Sequence, residues 1–275
     1  RNVAIGRSAL ANQDAGADAY NVAVGYDAGV SVSTGTHNVI MGGLAGDALT
    51  TGTSNVAIGY GSLTAEDAHG RNIAIGHNAL ATQNAGANAY NVAIGYTAGA
   101  LVSTGVQNTI LGSVAGDALT TGSFNTTLGY GSLSLEDTGN RSTAVGYEAL
   151  RAQDYNGDAF NTACGMWAGK AVTTGRSNTF LGYQAGVALT TGDNNIIIGK
   201  DAAASAVGVD NETVIGTTTT TSALVHGLRK PLYETASNVA TALPNSIYVF
   251  SDADGATVTL PDSGSGAYVG ATIEF

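Results

Sequence analysis

The sequence predicts an all-β protein, a parallel β-solenoid of about 13 coils followed by a small C-terminal β module. The first observation is a five-residue motif, Asn2-Val3-Ala4-Ile5-Gly6, which occurs thirteen times in intact or looser form. The second is its 17- or 19-residue spacing, since the first copies start at positions 2, 21, 38, 55 and 72. A helical-pair repeat needs more than roughly 30 residues. The third is the alternation of side chains within the motif, which has the period of a β-strand.

Two columns of the motif are nearly or fully constant. Looser copies begin at Ser142 and Glu212, and every other copy begins with asparagine. We expect the asparagine side chains to form a structural ladder, bonded to their copies in the coils above and below. We expect the glycines to adopt positive φ or to lie where no side chain fits. The asparagines are Asn2, Asn21, Asn38, Asn55, Asn72, Asn91, Asn108, Asn125, Asn161, Asn178 and Asn195, and the glycines are Gly6, Gly25, Gly42, Gly59, Gly76, Gly95, Gly112, Gly129, Gly146, Gly165, Gly182, Gly199 and Gly216.

The coils are grouped into a longer, 70-residue period. One 19-residue coil is followed by three 17-residue coils, and the pattern restarts at Arg1, Arg71 and Arg141. A coil of this length suits two short strands and two turns. The first strand is the motif, and Ala48-Leu49-Thr50-Thr51 predicts the second, with a turn at Gly52. Coils stacked at about 4.8 Å would form a rod.

Alternation within the motif assigns its residues to two faces. The third strand position, occupied by Ile58 and its equivalents, is always apolar and is predicted to face the inside of the coil. Cys164, the only cysteine, falls in this column and is interpreted as a core residue. In every coil with a full motif, an Ala or Ser follows three residues after the glycine, as at Ala28 and Ser62, and marks a second position with little space.

The middle strand position is predicted to face outward. It is mostly alanine, which is unusual on an exposed strand, and a long exposed apolar ladder would aggregate. We therefore expect sister chains to cover it in a homotrimer; the alternative is a monomer in which it faces a second sheet. The trimer-interface candidates are Ala4, Ala23, Ile40, Ala57, Ala74, Ala93, Ile110, Ala144, Ala163 and Phe180.

Composition limits the partners. The chain has 275 residues and a net charge of −11, which disfavours binding to nucleic acid or to an anionic membrane. A hydrophobic content of 44 % argues against disorder. No apolar run approaches the ~18 residues of a membrane span. No motif indicates a cofactor.

The repeat resembles the head repeat of YadA-like trimeric autotransporter adhesins, in which an Asn-Ser-Val-Ala-Ile-Gly motif recurs. It also looks like the collar and shaft repeats of phage tail fibres. The resemblance covers residues 1–216. It implies a left-handed parallel β-roll, three of which pack around a shared axis. The coils here are longer than those of the adhesins, so larger turns would project outward.

The pattern stops after Gly216. Residues 217–230 are interpreted as a threonine-rich, extended connector, and 231–275 as a small β module that begins near Pro231. Within it, 246–250 and 256–260 predict strands. Both ends of the sequence look like cuts from a longer chain.

Several groups are candidate chemical sites. Asp154, Asn156 and Asp158 resemble part of a calcium loop, although the copy one period earlier carries Asn84 and Asn88 instead of acids. The pairs at positions 66–67 and 136–137 suggest a glycosidase carboxylate pair or, more simply, ion pairs with Arg71 and Arg141. The four histidines share no column or ligand spacing.

The tyrosine column after the glycine suggests either a surface stripe that meets glycans or packing against turns. No catalytic residue is predicted, and the chain is not expected to be an enzyme. We expect a segment of a trimeric virion or phage tail fibre, a rigid shaft that contacts other fibre proteins and supports attachment to a host glycan or receptor. The alternative is the head of a bacterial trimeric autotransporter adhesin on the cell surface. An ice-binding or polysaccharide-degrading solenoid ranks lower.

Overall fold

A computed structural model of the chain describes residues 1–220 and two short strands, 239–241 and 257–259. The chain divides into two compact units, Arg1–Thr221 and Ser222–Phe275. The described residues form no helix that could cross a membrane. The strands are β1 (Val3–Ile5), β2 (Val22–Val24), β3 (Val39–Met41), β4 (Val56–Ile58), β5 (Ile73–Ile75), β6 (Val92–Ile94), β7 (Thr109–Leu111), β8 (Thr126–Leu128), β9 (Thr143–Val145), β10 (Thr162–Cys164), β11 (Thr179–Leu181), β12 (Ile196–Ile198), β13 (Thr213–Ile215), β14 (Val239–Thr241) and β15 (Thr257–Thr259).

The first unit is a parallel β-solenoid, as the repeat predicts. Strands β1 to β13 form one sheet in chain order, and every neighbouring pair is parallel. Each motif position pairs with the same position in the next coil, for example Val39 with Val56 and Met41 with Ile58. The 17- and 19-residue spacings therefore set the register of the whole sheet.

The second strand predicted in each coil does not form. Residues 48–51 are turn and bend, and only Leu49 among them is fully buried. These segments still bond to the neighbouring coils: Ser33 N–H donates to Thr50 O at 2.9 Å, and Thr50 N–H donates to Asp67 O at 2.6 Å. The backbone is thus paired between coils without β geometry, which satisfies its polar groups.

The two faces of the strand are the reverse of the prediction. The middle residue of the strand points into the core of its own chain, whereas the first and third residues point outward. Turn residues such as Leu63 and Leu119 fill the interior, so the inward strand position has room only for a small side chain in most coils. The larger β-branched residues consequently lie on the outer surface.

The 70-residue period has a physical basis in core packing. Where the inward strand residue is large, the nearby turn carries glycine: a Cβ on Gly29 would lie 2.7 Å from Ile40 Cδ1, and one on Gly169 would lie 2.7 Å from Phe180 Cδ2. In the β4 coil, where the strand residue is alanine, Leu63 reaches the core from the turn. A large side chain at one core position is thus accompanied by a glycine beside it, as close packing requires.

The constant glycine after each strand is needed for two reasons, both anticipated from the sequence. At Gly42, φ is +133°, and an added Cβ would lie 2.6 Å from the carbonyl oxygen of Gly59 in the next coil. The Ala or Ser three residues later is also tightly enclosed, since Ala28, Ala45 and Ser62 are fully buried. Glycine here allows adjacent coils to approach backbone to backbone.

The second unit is described only at β14 and β15, which pair in parallel with Val239 opposite Thr257. Strand β15 lies within the predicted strand 256–260, whereas the other predicted strand, 246–250, lies outside the described residues. The threonine run is not extended at its start: Thr220 N–H donates to Thr217 O at 2.9 Å and closes a turn.

Substitution of the constant glycine should be far more damaging than substitution of a turn glycine. We expect Gly42→Ala to lower the free energy of unfolding by several kcal/mol, on the order of the largest single-site effects, because the new Cβ collides with the Gly59 backbone. Gly86→Ala is the matched control: φ is +70° but no atom lies within 4 Å of its added Cβ, so it should cost about 1–2 kcal/mol. Chemical denaturation measures both; equal effects would contradict the close-approach argument.

Candidate functional site

The asparagine ladder is the most regular polar feature of the solenoid, and it is buried. Asn38 Oδ1 accepts the backbone N–H of Asn55 at 2.9 Å, and Asn38 Nδ2 donates to the Gly52 carbonyl at 2.9 Å. The same pair of contacts recurs in other coils, for example at Asn108. Each side chain therefore joins its own coil to the next one, which confirms the predicted ladder, although its partners are mostly backbone groups.

Three glutamines extend the ladder, Gln83 and Gln153 fully buried and Gln13 half-buried, and the sequence analysis missed them. Asn91 Nδ2 donates to Gln83 Oε1, and Gln83 Nε2 donates to Ser103 O at 3.0 Å. Gln13 makes the corresponding contacts. Gln153 occupies the third equivalent position. The signal was their 70-residue spacing, in the 19-residue coils with their longer loop.

Loss of one ladder side chain should destabilise the whole described solenoid. We expect Asn108→Ala to cost roughly 2–4 kcal/mol, because it leaves the Gly122 carbonyl and the Asn125 N–H buried without partners. The control Asn12→Ala changes an exposed asparagine and should cost less than about 0.5 kcal/mol. Thermal and urea unfolding test the difference, and a near-neutral Asn108→Ala would show that the ladder does not hold the coils together.

Two glutamates lie fully buried beside this network, at equivalent positions one period apart. Glu136 Oε1 accepts the Gly139 N–H at 2.6 Å, and Oε2 accepts Gln153 Nε2 at 2.8 Å and the Tyr155 N–H at 3.3 Å. Burial raises the pKa of Glu136, and its hydrogen bonds with Gln153, Gly139 and Tyr155 offset part of that rise. Burial raises the pKa of Glu66 in the same way.

The raised pKa of Glu136 predicts a pH dependence of stability. A carboxyl whose pKa is higher in the fold than in the unfolded chain stabilises the fold most below its ordinary value of 4.5. That contribution is lost as pH rises through the raised folded value. We expect the melting temperature of the wild type to fall relative to Glu136→Gln between about pH 4 and about pH 7.

The informative quantity is how the difference in melting temperature between the wild type and Glu136→Gln changes with pH. Its absolute size is less informative, because the glutamine also changes the hydrogen bonds at all pH values. Scanning calorimetry across the pH range measures it. A difference that stays constant or changes in the opposite direction would contradict a raised pKa.

The exposed surface of the sheet, here called the strand face, consists of the first and third residues of β1–β13. It is largely apolar, with threonine at the first position of several strands, and it is only partly covered by its own chain. The most exposed large members are Val3, Ile5, Met41, Ile94, Leu128, Leu181, Ile196 and Ile215, with 38–59 % of their surface accessible. Charged side chains are absent from these strand positions in the described residues.

The predicted trimer-interface residues do not lie on this face. Ala23, Ile40 and Phe180 are fully buried in the core of their own chain, as are Ala57, Ala74, Ala93, Ile110, Ala144 and Ala163, and only Ala4, in the first coil, is exposed. The prediction was wrong because the strand faces are reversed. Cys164, assigned to the core, is exposed for the same reason.

Aromatic and basic side chains flank the strand face at both ends of the strand. After the constant glycine, the rings of Tyr60, His77 and Tyr96 stack with centroids 5.4 and 5.3 Å apart. Tyr130 and Tyr147 stack in the same way. The tyrosine column is thus an exposed surface stripe. The rings cover one another's faces, so the inner members of each stack present edges and polar atoms.

The column that precedes the motif is similar and carries the predicted arginines. Arg71 stacks on Tyr90, and Arg141 lies between Phe124 and Phe160. Within the described residues Arg71 forms no ion pair with an acid, and Arg141 pairs with Asp158. The predicted pairing of Arg71 and Arg141 with the Glu-Asp pairs was therefore wrong.

The three calcium candidates are distributed differently from the prediction. Asp158 is engaged by Arg141, Asn156 is exposed, and Asp154 groups with Glu136 and Asp137, where the ligand oxygens lie within 4.8 Å of one another. A second group, Glu66, Asp67 and His69, meets the same distance limit. The sequence analysis compared the histidines only with one another, and it therefore did not associate His69 with Glu66 and Asp67.

Comparison of the chain with protein-family models, curated proteins and solved structures finds no match.

Proposed function

We propose that the solenoid is a non-enzymatic segment of a homotrimeric virion fibre, such as a phage tail fibre, in which it forms a rigid shaft that supports host attachment. The observation that carries the proposal is the exposed apolar strand face, which continues over thirteen strands. Monomeric soluble proteins rarely expose contiguous apolar patches beyond a few hundred Å². A partner surface of the same kind would cover it.

A second and third copy of this chain are the occupants that fit the strand face best. The face repeats with the strand spacing along the solenoid, so another copy presents a matching ladder at the same spacing. Burying even part of the side chain on each of thirteen strands would stabilise the assembly substantially, since full burial of an aliphatic contributes about 1.5–3 kcal/mol. The resemblance to YadA-like repeats favours three chains around a shared axis.

The internal bonding of each chain suits a shaft. Turns and strands alike bond to the next coil, and the asparagine ladder joins neighbouring coils inside the core. A solenoid built from such nearest-neighbour contacts extends in one dimension, and bending it would stretch the hydrogen bonds between neighbouring coils. The flanking aromatic stripes offer exposed edges and hydroxyls for other fibre proteins or for a glycan.

The head of a bacterial trimeric adhesin is the second candidate, because it would use the same strand face and the same coil. The two differ in location, on a virion or on a cell surface. Labelled antibody against the solenoid, applied to purified particles and to bacterial surfaces from the source, distinguishes them. An ice-binding or polysaccharide-degrading role is not favoured by any contact described above.

A charge placed on the strand face should dissociate the assembly. We expect the purified wild-type chain to have the mass of three chains by light scattering, and Leu128→Lys to shift it toward the monomer. Leu135→Lys is the matched control, since Leu128 and Leu135 are 47 % and 50 % exposed but Leu135 lies outside the strands. A stable wild-type monomer, or equal behaviour of the two variants, would overturn the trimer proposal.

A further inference from the structure

Glu66, Asp67 and His69 form a compact cluster in the turn that follows β4. Their nearest ligand atoms lie within 4.8 Å of one another, with Glu66 buried, His69 half-buried and Asp67 exposed. The backbone of this turn is held in place from the preceding coil, because Asp67 O accepts the Thr50 N–H at 2.6 Å and the Thr50 hydroxyl at 2.8 Å. The cluster therefore has a fixed base and one solvent-facing side.

The hydrogen bonds of this cluster are incomplete. Glu66 Oε1 accepts the His69 N–H at 2.9 Å, and His69 Nδ1 lies 3.5 Å from the same oxygen. Glu66 Oε2 and His69 Nδ1 have no hydrogen-bond partner in the part of the chain that the structure describes. The Glu66 side chain is 0 % exposed. A carboxylate oxygen buried without a partner is costly unless a proton or a cation compensates it.

The equivalent position in the next period shows that this deficit is specific to Glu66. Both oxygens of Glu136 are bonded, and Gln153 supplies one of the donors. At the earlier position the matching Gln83 donates instead to Ser103 O. Gly139 stands where the earlier turn has His69, and a side chain at Gly139 would collide with the Glu136 carboxylate. The unpartnered oxygen and the added imidazole thus occur together.

We propose that Glu66, Asp67 and His69 bind one divalent first-row transition metal ion of the zinc type. The ligand set combines an imidazole nitrogen with carboxylate oxygens, which suits such ions, whereas calcium and magnesium take oxygen ligands. Ligand atoms held at about 2.0–2.2 Å from zinc lie roughly 3.4 Å apart in a tetrahedral site. Rotation of the exposed Asp67 side chain closes the remaining distance, and water completes the coordination on the open side.

The metal ion would provide a partner for the two side-chain atoms of this turn that have no hydrogen bond among the described residues, Glu66 Oε2 and His69 Nδ1. It would neutralise the buried Glu66 carboxylate and engage the free Nδ1 of His69, so binding should stabilise the fold in proportion to metal concentration. The site lies within one chain and does not depend on the trimer. Its role would be structural, fixing the turn of the fourth coil against the coil before it.

The test uses the full chain, without a histidine tag and freed of metal by a chelator. Zinc chloride is then titrated by calorimetry, and the melting temperature is followed in parallel. We expect one zinc ion per chain and a rise in melting temperature. His69→Gly copies the residue found at Gly139, and we expect it to weaken zinc affinity at least roughly tenfold. Asp67→Asn, at an exposed position, should also weaken binding while leaving the metal-free melting temperature unchanged.

Two control variants separate this site from other metal-binding groups. Glu136→Gln alters the all-oxygen cluster, and His77→Ala removes an exposed histidine of the tyrosine column; both should keep the wild-type zinc affinity. Absence of saturable zinc binding would overturn the proposal. So would unchanged affinity in both His69→Gly and Asp67→Asn, or loss of binding in His77→Ala alone.

Discussion

Hydrogen bonding between successive coils is the interaction on which the rest of this structure depends. Each coil contributes only three residues to the sheet, so the sheet alone leaves most of the backbone unpaired. The turns bond to the next coil as well, and the buried asparagine joins the two at the start of the strand. A side chain that pushed two coils apart at one point would therefore also strain the other hydrogen bonds between them. This explains why glycine occupies the position where the backbones of neighbouring coils come closest.

The small interior of the coil determines which strand side chains lie on the outer surface. Leucines and valines from the turns occupy the core, and alanine on the strand leaves room for them. Where the inward strand residue is Ile40, Ile110 or Phe180, the adjacent turn positions are glycine, because a Cβ there would collide with the larger side chain. The β-branched residues of the strand are then turned outward, and the chain carries an apolar surface that it does not cover itself. The proposed assembly follows from this distribution of volume.

Polar groups inside such a narrow coil need partners at fixed distances. The 19-residue coils provide glutamines that bond to the ladder, and Gln153 also supplies a hydrogen-bond donor to Glu136. Glu66 lacks that partner and has His69 beside it instead. Two copies of one repeat thus compensate the buried glutamate in different ways: Glu136 bonds to the Gln153 amide, and Glu66, as we propose, binds a metal ion.

The sequence by itself determined the parallel solenoid, the number and register of its coils, the glycine positions and the asparagine ladder, because each follows from strict spacing. Spacing cannot say which strand face points inward, since an alternating pattern is unchanged when its two faces are exchanged. That choice depends on how the chain turns before and after the strand. Tyr20 and Arg71, each two residues before a strand, and Leu63, in the turn after β4, adopt φ between 52° and 65°. Tyrosine, leucine and arginine rarely adopt this left-handed conformation, so it could not be predicted from the residue types. Tertiary structure alone therefore placed the alanines inside and the apolar ladder on the surface.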